Sequence, residues 1–114
     1  MSDCIFCGIV AGSIPSKQVY EDEEMIAFHD LYPAAPVHVL IIPKKHIPSM
    51  LAVTEEDYVL MGRMTKVIQS LAQELGIAES GFRVVNNCGE EGGQTVGHLH
   101  YHILGGRSLG WPPG

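Results

Sequence analysis

Basic residues are scarce in this chain: seven Lys and Arg stand against thirteen Asp and Glu, for a formal net charge of −6. A surface with that balance has no basic stripe to neutralise a run of phosphates. Nucleic acid polymers and anionic membranes are therefore excluded as expected partners, whereas a small nucleotide, which needs only a local site, is not. No stretch approaches the roughly 18 apolar residues of a membrane span. The opening MSDCIFCGIV, acidic at Asp3, lacks the basic leader of a signal peptide. There are three cysteines, an odd number that does not suit a disulfide framework, so a reducing, cytoplasmic setting is expected. Repeats, low-complexity tracts and linkers are also missing, and the length predicts one domain over residues 1–114.

What is present reads as alternating short elements. CIFCGIVAG (4–12) carries apolar residues at helical spacing and closes on Gly12. QVYEDEEMIAFHD (18–30) reads as a hairpin around an acidic turn, and VHVLIIP (37–43) as a buried strand ending at a proline. The one long helix is expected over 55–75. Thr54 offers an N-cap, Asp57 a first-turn carboxylate, Leu60, Met64, Val67, Ile68, Leu71 and Leu75 an apolar face, and Gly76 a stop. GFRVVNN (81–87) and HLHYHILG (98–105) complete the pattern. About five strands with one long and one short helix predict an α+β domain on an antiparallel sheet. The open edges of such a sheet would be hidden by pairing two copies edge to edge, as a homodimer.

Half of the six histidines fall at 98, 100 and 102, behind the glycine-rich NNCGEEGGQT (86–95). In a strand these three share one face, with Leu99, Tyr101 and Ile103 turned to the core, and the histidine face is expected to be accessible or at least polar. A polar strand face, a metal site and a nucleophilic site all fit the row itself. The loop favours the last, because its glycines let backbone N–H groups approach an anion while Gln94 and Thr95 add donors.

The run His98-Leu99-His100-Tyr101-His102-Ile103-Leu104 resembles the His-x-His-x-His-x-x signature of the histidine-triad nucleotide hydrolases and transferases. The likeness covers nearly the whole chain. AFHDLYPAAPVHVLIIPKKH (27–46), GGQTVGHLHYHILGGR (92–107) and the terminal WPPG (111–114) are similar to the branch that acts as purine nucleoside phosphoramidases. The resemblance implies that His100 attacks the α-phosphorus of an adenosine or guanosine 5′-phosphoramidate. His102 would help the leaving group, with His98 and His38 orienting the row. It further implies that Asp30 holds the ribose hydroxyls and that Ile5, Phe6, Ile9, Ile14, Phe28 and Leu31 clamp the purine. Asn87, Gly93, Gln94, Thr95 and Val96 would line the phosphate side, and Trp111 would reach the partner subunit's site. No cofactor is required for that chemistry. Taken residue by residue, the apolar clamp reads equally as ordinary core, and Asp30 as a turn cap.

Cys4 and Cys7 form a C-x-x-C pair that is not general to the family. Two thiols do not make a zinc site, but His46 and His98 could complete four ligands, a set that some similar bacterial proteins use structurally. Cys88 reads as a small filler, His29 as a surface strand residue, and Lys44 and Lys45 as solvated. Four functions compete: a phosphoramidase, a dinucleoside polyphosphate hydrolase, a nucleotide-binding scaffold, and a zinc hydrolase built on His98, His100 and His102.

Overall fold

The computed structural model describes residues 4–114, so the leader expectation drawn from Asp3 falls outside it. Five strands form one antiparallel sheet: β1 (Gln18–Glu21), β2 (Met25–His29), β3 (Val37–Pro43), β4 (Phe82–Val85) and β5 (Tyr101–Gly105), in the spatial order β1-β2-β3-β5-β4. Helix α1 (Ile5–Ala11) precedes the sheet and α2 (Tyr58–Glu74) lies between β3 and β4. This is the expected α+β architecture.

Strand periodicity sorts the core into two layers. Met25, Ala27, Val39, Ile41 and Ile103 pack against Met64, Val67, Ile68, Leu71 and Ala72 of α2. The alternate positions Ile26, Phe28, Leu40 and Ile42 pack against Phe6 and Ile9 of α1. Helix α1 turns off at Gly12, whose φ of 83° is left-handed and whose N–H bonds back to Ile9 O. Helix α2 begins later than its apolar face suggests, because residues 55–57 form a tighter turn first. The Asp57 carboxylate accepts from the Thr54 N–H (3.0 Å) and from Lys45 Nζ (2.6 Å), which ties the helix start to the segment after β3. Lys45 and Lys44 are thus ion-paired, the latter to Glu21 at 2.7 Å.

The expectation that the strand begins at His98 is corrected. β3 and β5 pair only as far as Ile41 and Tyr101. Beyond them β3 ends at Pro43, which has no N–H to offer, and the chain turns away. His98, Leu99 and His100 therefore run as an unpaired lead-in, whose one backbone–backbone bond goes from Leu99 N to Ile47 O at 2.7 Å. The fourth strand is likewise shorter than read. Among the described residues no helix is long and apolar enough to cross a membrane.

Candidate active site

The histidine face is not the accessible surface the alternation implied. His98 and His100 are buried, at 0% and 4% exposure, because α1 lies across them. The Phe6 ring meets both edge-on, with centroids 5.9 Å from His98 and 5.1 Å from His100. His38, on β3, is buried beside them, and His102 is partly so. Burial this complete forces each ring nitrogen to be accounted for, and the partners fix the tautomers.

His100 Nδ1 lies 2.7 Å from the carbonyl oxygen of His98. A carbonyl only accepts, so Nδ1 carries the hydrogen and Nε2 holds the lone pair. That Nε2 has no protein partner among the described residues. It is not sealed in either, since the one fully buried, unpartnered side-chain atom found there is Asn86 Oδ1. At His38 the logic runs the other way. The Ala34 N–H donates to His38 Nδ1 at 3.0 Å, so Nε2 carries the hydrogen and donates to His102 Nδ1 at 2.9 Å. His102 in turn keeps its hydrogen on Nε2. The row is thus an ordered chain, Ala34 to His38 to His102, lying beside the unpartnered Nε2 of His100; the His100 and His102 rings are 5.1 Å apart.

His98 is locked in a third way. Its Nε2 donates to Pro43 O at 2.8 Å, which leaves Nδ1 as a lone pair. That lone pair faces Cys4 Sγ (3.3 Å), Cys7 Sγ (3.6 Å) and His46 Nδ1 (3.2 Å), with Cys7 Sγ to His46 Nδ1 also 3.2 Å. Ligands about 2.0–2.3 Å from a tetrahedral zinc stand about 3.3–3.8 Å from one another. The four atoms therefore fit a single ion of that kind. A second group of potential ligands, Asp30, His38 and His102, is as compact. It does not suit a metal, because ligation at His38 Nε2 would move the ring hydrogen to Nδ1, straight into the Ala34 N–H. The row reading with His98, His100 and His102 on one zinc fails for the same kind of reason: the metal-facing atom of His98 is turned to the cysteines.

The glycine-rich loop braces itself. Gln94 Nε2 donates to Pro48 O (2.8 Å) and Val96 O (3.0 Å), while its Oε1 accepts from Gly89 N (3.0 Å). Asn87 Nδ2 donates to Gly92 O at 2.6 Å. Both N–H groups of the Gln94 amide are thus engaged within the loop, and one of the two on Asn87, because a loop with this many bends must satisfy its own carbonyls. Gln94 holds the loop in shape, while Asn87 keeps a second N–H to donate. Gly93 takes a left-handed φ of 80° within it. With Glu90, Thr95, Gly97, Pro48 and others the loop lines an open depression of about 530 Å³ that no histidine lines.

Among the expected clamp residues, Phe6, Ile9 and Phe28 are core, Ile14 is partly buried, and Ile5 and Leu31 are exposed at 51% and 75%. Asp30 does cap a turn, its Oδ1 accepting from Tyr32 N at 2.8 Å. Its Oδ2 lies 3.5 Å from His38 Nε2, at the edge of the row. Trp111 is exposed at 83% near β4, where Arg83 Nη2 holds Gly110 O at 2.7 Å. Asn86 was not singled out in the sequence. Its Nδ2 donates to His100 O at 2.9 Å, so the His100 backbone is gripped from the neighbouring strand end. The only sequence signal for it is a second Asn beside Asn87.

Residues 11–109 match the HIT domain. The chain belongs to the HIT domain family. A HIT-like protein of Synechocystis is 52% identical over 112 residues, covering 98% of this chain and 97% of its own. A HIT family hydrolase from Legionella pneumophila superposes with a TM-score of 0.97 at 46% identity, over 98% of this chain and 100% of that one. A histidine triad nucleotide-binding protein from Candida albicans does so at 0.82 and 34% identity, over 96% and 83%. The chain thus has the fold and the domain of HIT family hydrolases.

Electrostatics keeps three histidines of this HIT domain neutral near pH 7: His38, His98 and His102. Burial is the first cause of a lowered pKa at His38, His98 and His102, against partial support from Asp30 at His38 and from Pro43 O at His98. For His102, burial together with the charges His100 and His38 would carry pushes the value down to about 4. Burial and the adjacent Cys4 push the Cys7 thiol up, so without a cation it stays a thiol. The two cysteines precede the matched span, so the four-atom cluster joins α1 to His46 and His98 within that span.

Proposed function

We propose that this HIT domain is a purine nucleoside phosphoramidase working through a covalent nucleotidyl-histidine. The observation that carries the reading is the tautomer of His100. With Nδ1–H held by the His98 carbonyl, the lone pair falls on Nε2, which has no protein partner and serves as the nucleophile. Its lone pair attacks the α-phosphorus, forming an N–P bond while the P–N bond to the amine breaks. The imidazolium that results keeps its Nδ1–H on the carbonyl, which stabilises the charge. His102, neutral at pH 7 with a pKa near 4, donates a hydrogen bond from Nε2–H to the departing nitrogen or a phosphate oxygen without giving up its hydrogen, and the nitrogen leaves as the amine with a proton taken from water. Water then attacks phosphorus, the bond to His100 breaks, and the nucleoside monophosphate leaves. Asp30 Oδ2 is placed to accept from a ribose hydroxyl, and the exposed Ile5 and Leu31 to flank the base. Dinucleoside polyphosphate hydrolysis would use the same nucleophile on a P–O bond.

The same proposal includes two supports for the site. The Cys4, Cys7, His46 and His98 set holds a structural zinc, which supplies a cross-link between α1 and the row and takes no part in bond making. The exposed edge of β4, with Phe82 and Val84 outward and Trp111 beside it, pairs with a second copy in a homodimer. The relative from Candida albicans is itself called a nucleotide-binding protein, which supports a nucleotide-binding role.

The test is mass spectrometry without acid, after brief mixing with adenosine 5′-phosphoramidate. Wild-type protein is expected to gain one nucleotidyl group and the His100→Gln variant none. Turnover by the wild type with no adduct under trapping conditions would sink the covalent mechanism.

A further inference from the structure

His98 faces two ways. Its ring closes the cluster with Cys4, Cys7 and His46, while its backbone carbonyl, 2.7 Å from His100 Nδ1, sets the nucleophile's tautomer. The segment carrying His46 meets the row on either side of that residue, through Pro43 O on His98 Nε2 and Ile47 O on Leu99 N. The segment carrying the cysteines is α1, and the residue between them, Phe6, stands edge-on to the His100 ring at 5.1 Å. Two of the protein groups that locate the His100 ring therefore hang from the cluster: the His98 carbonyl and Phe6. The third, Asn86, grips only its backbone.

We infer that Cys4, Cys7 and His46 are positioning residues for the nucleophile, acting through His98, so that a metal held by the cluster sets how well His100 is aimed. The inference rests on the nucleotidyl-transfer reading for its kinetic arm, though not for its binding arm. A shift of a fraction of an ångström in the His98 carbonyl moves the Nδ1–H bond and rotates the lone pair away from phosphorus. Loss of an outer partner of this kind typically costs about 10–100-fold in activity. Reciprocity follows from linkage: if the metal favours the arrangement that binds a nucleotide phosphate, the nucleotide must change the metal's affinity by the same factor.

The experiment uses the full chain loaded with cobalt(II). The expected result is a thiolate-to-cobalt charge-transfer band, absent in Cys4→Ser/Cys7→Ser. Adenosine monophosphate should alter the band and raise cobalt affinity. In His46→Ala, rapid-quench adduct formation from adenosine 5′-phosphoramidate should fall at least about tenfold, with nucleotide affinity falling by no more than the factor by which the nucleotide raises cobalt affinity in the wild type. His46→Cys, which restores a fourth ligand, should recover most of the rate. A wild-type protein without the band, a band indifferent to the nucleotide, or a folded His46→Ala with the wild-type rate each overturns the inference. Should His46→Ala not fold, the cobalt titration with and without nucleotide on the wild type decides alone. A band that responds to nucleotide in a protein that forms no adduct keeps the coupling and removes the phosphoramidase reading.

Discussion

At the scale of single residues, the histidine pattern carried the chemistry and the backbone carried its direction. The three histidines stood out in the sequence because their spacing is visible there. What each nitrogen does was not visible, since the partners that decide it are the Ala34 N–H and the carbonyls of His98 and Pro43, which any residue could supply. The same blindness hid Asn86 and misjudged Gln94, whose amide is absorbed by Pro48 O and Val96 O. Asn86→Ala is expected to lower kcat about tenfold with little change in KM, because it loosens the His100 backbone without touching substrate. Its cost in stability should be at most about 1 kcal/mol, since the deletion also removes the orphaned Oδ1. Steady-state kinetics beside urea unfolding separates the two effects. Gln94→Ala removes three bonds that close the loop, and is expected to raise amide exchange across residues 88–97, read by hydrogen–deuterium exchange.

At the scale of elements, periodicity named the helices and strands and missed two of their ends. Alternation from His98 onward is real, yet a strand needs a neighbour, and β3 withdraws one at Pro43; that neighbour's end is a long-range fact the local pattern does not contain. The α2 face was legible to the residue, whereas the tight turn before it came from the Asp57 carboxylate engaging both Thr54 and Lys45. Helix α1 is short, and propensity alone would not hold it. It is held by Phe6 and Ile9 in the layer beneath, so Ile9→Ala should cost about 3 kcal/mol, measured by urea denaturation. Because α1 roofs the row, the same variant should expose the His100 ring, and histidine-directed acylation of wild type and variant would register it.

At the scale of the whole molecule, the class of fold was legible and the strand order was not: β5 enters between β3 and β4, a choice made by which apolar faces meet. Three histidines with lowered pKa values, His38 and His98 buried and His102 partly so, make stability depend on pH in one direction. The unfolded chain binds their protons near the ordinary value of about 6.5, while folded His102 resists until about 4. Stability is thus fully present above about pH 6.5 and is lost as pH falls toward 4, so the thermal midpoint should drop steadily across that window. A flat midpoint between pH 7 and 4.5 would contradict the buried, neutral row. For the proposed homodimer, Val84→Lys on the β4 edge should convert dimer to monomer in sedimentation velocity.

The Ala34 amide gives the row a stopped end. A peptide N–H can point at His38 but cannot surrender its hydrogen, so the line from Ala34 through His38 to His102 is a blind alley for protons. His102 therefore offers its Nε2–H as a fixed hydrogen bond, and any proton that turnover moves has to come and go through the open side, by water or by the product itself. The last proton of each turnover is therefore settled on the substrate's side of the pocket, and the interior keeps none of it.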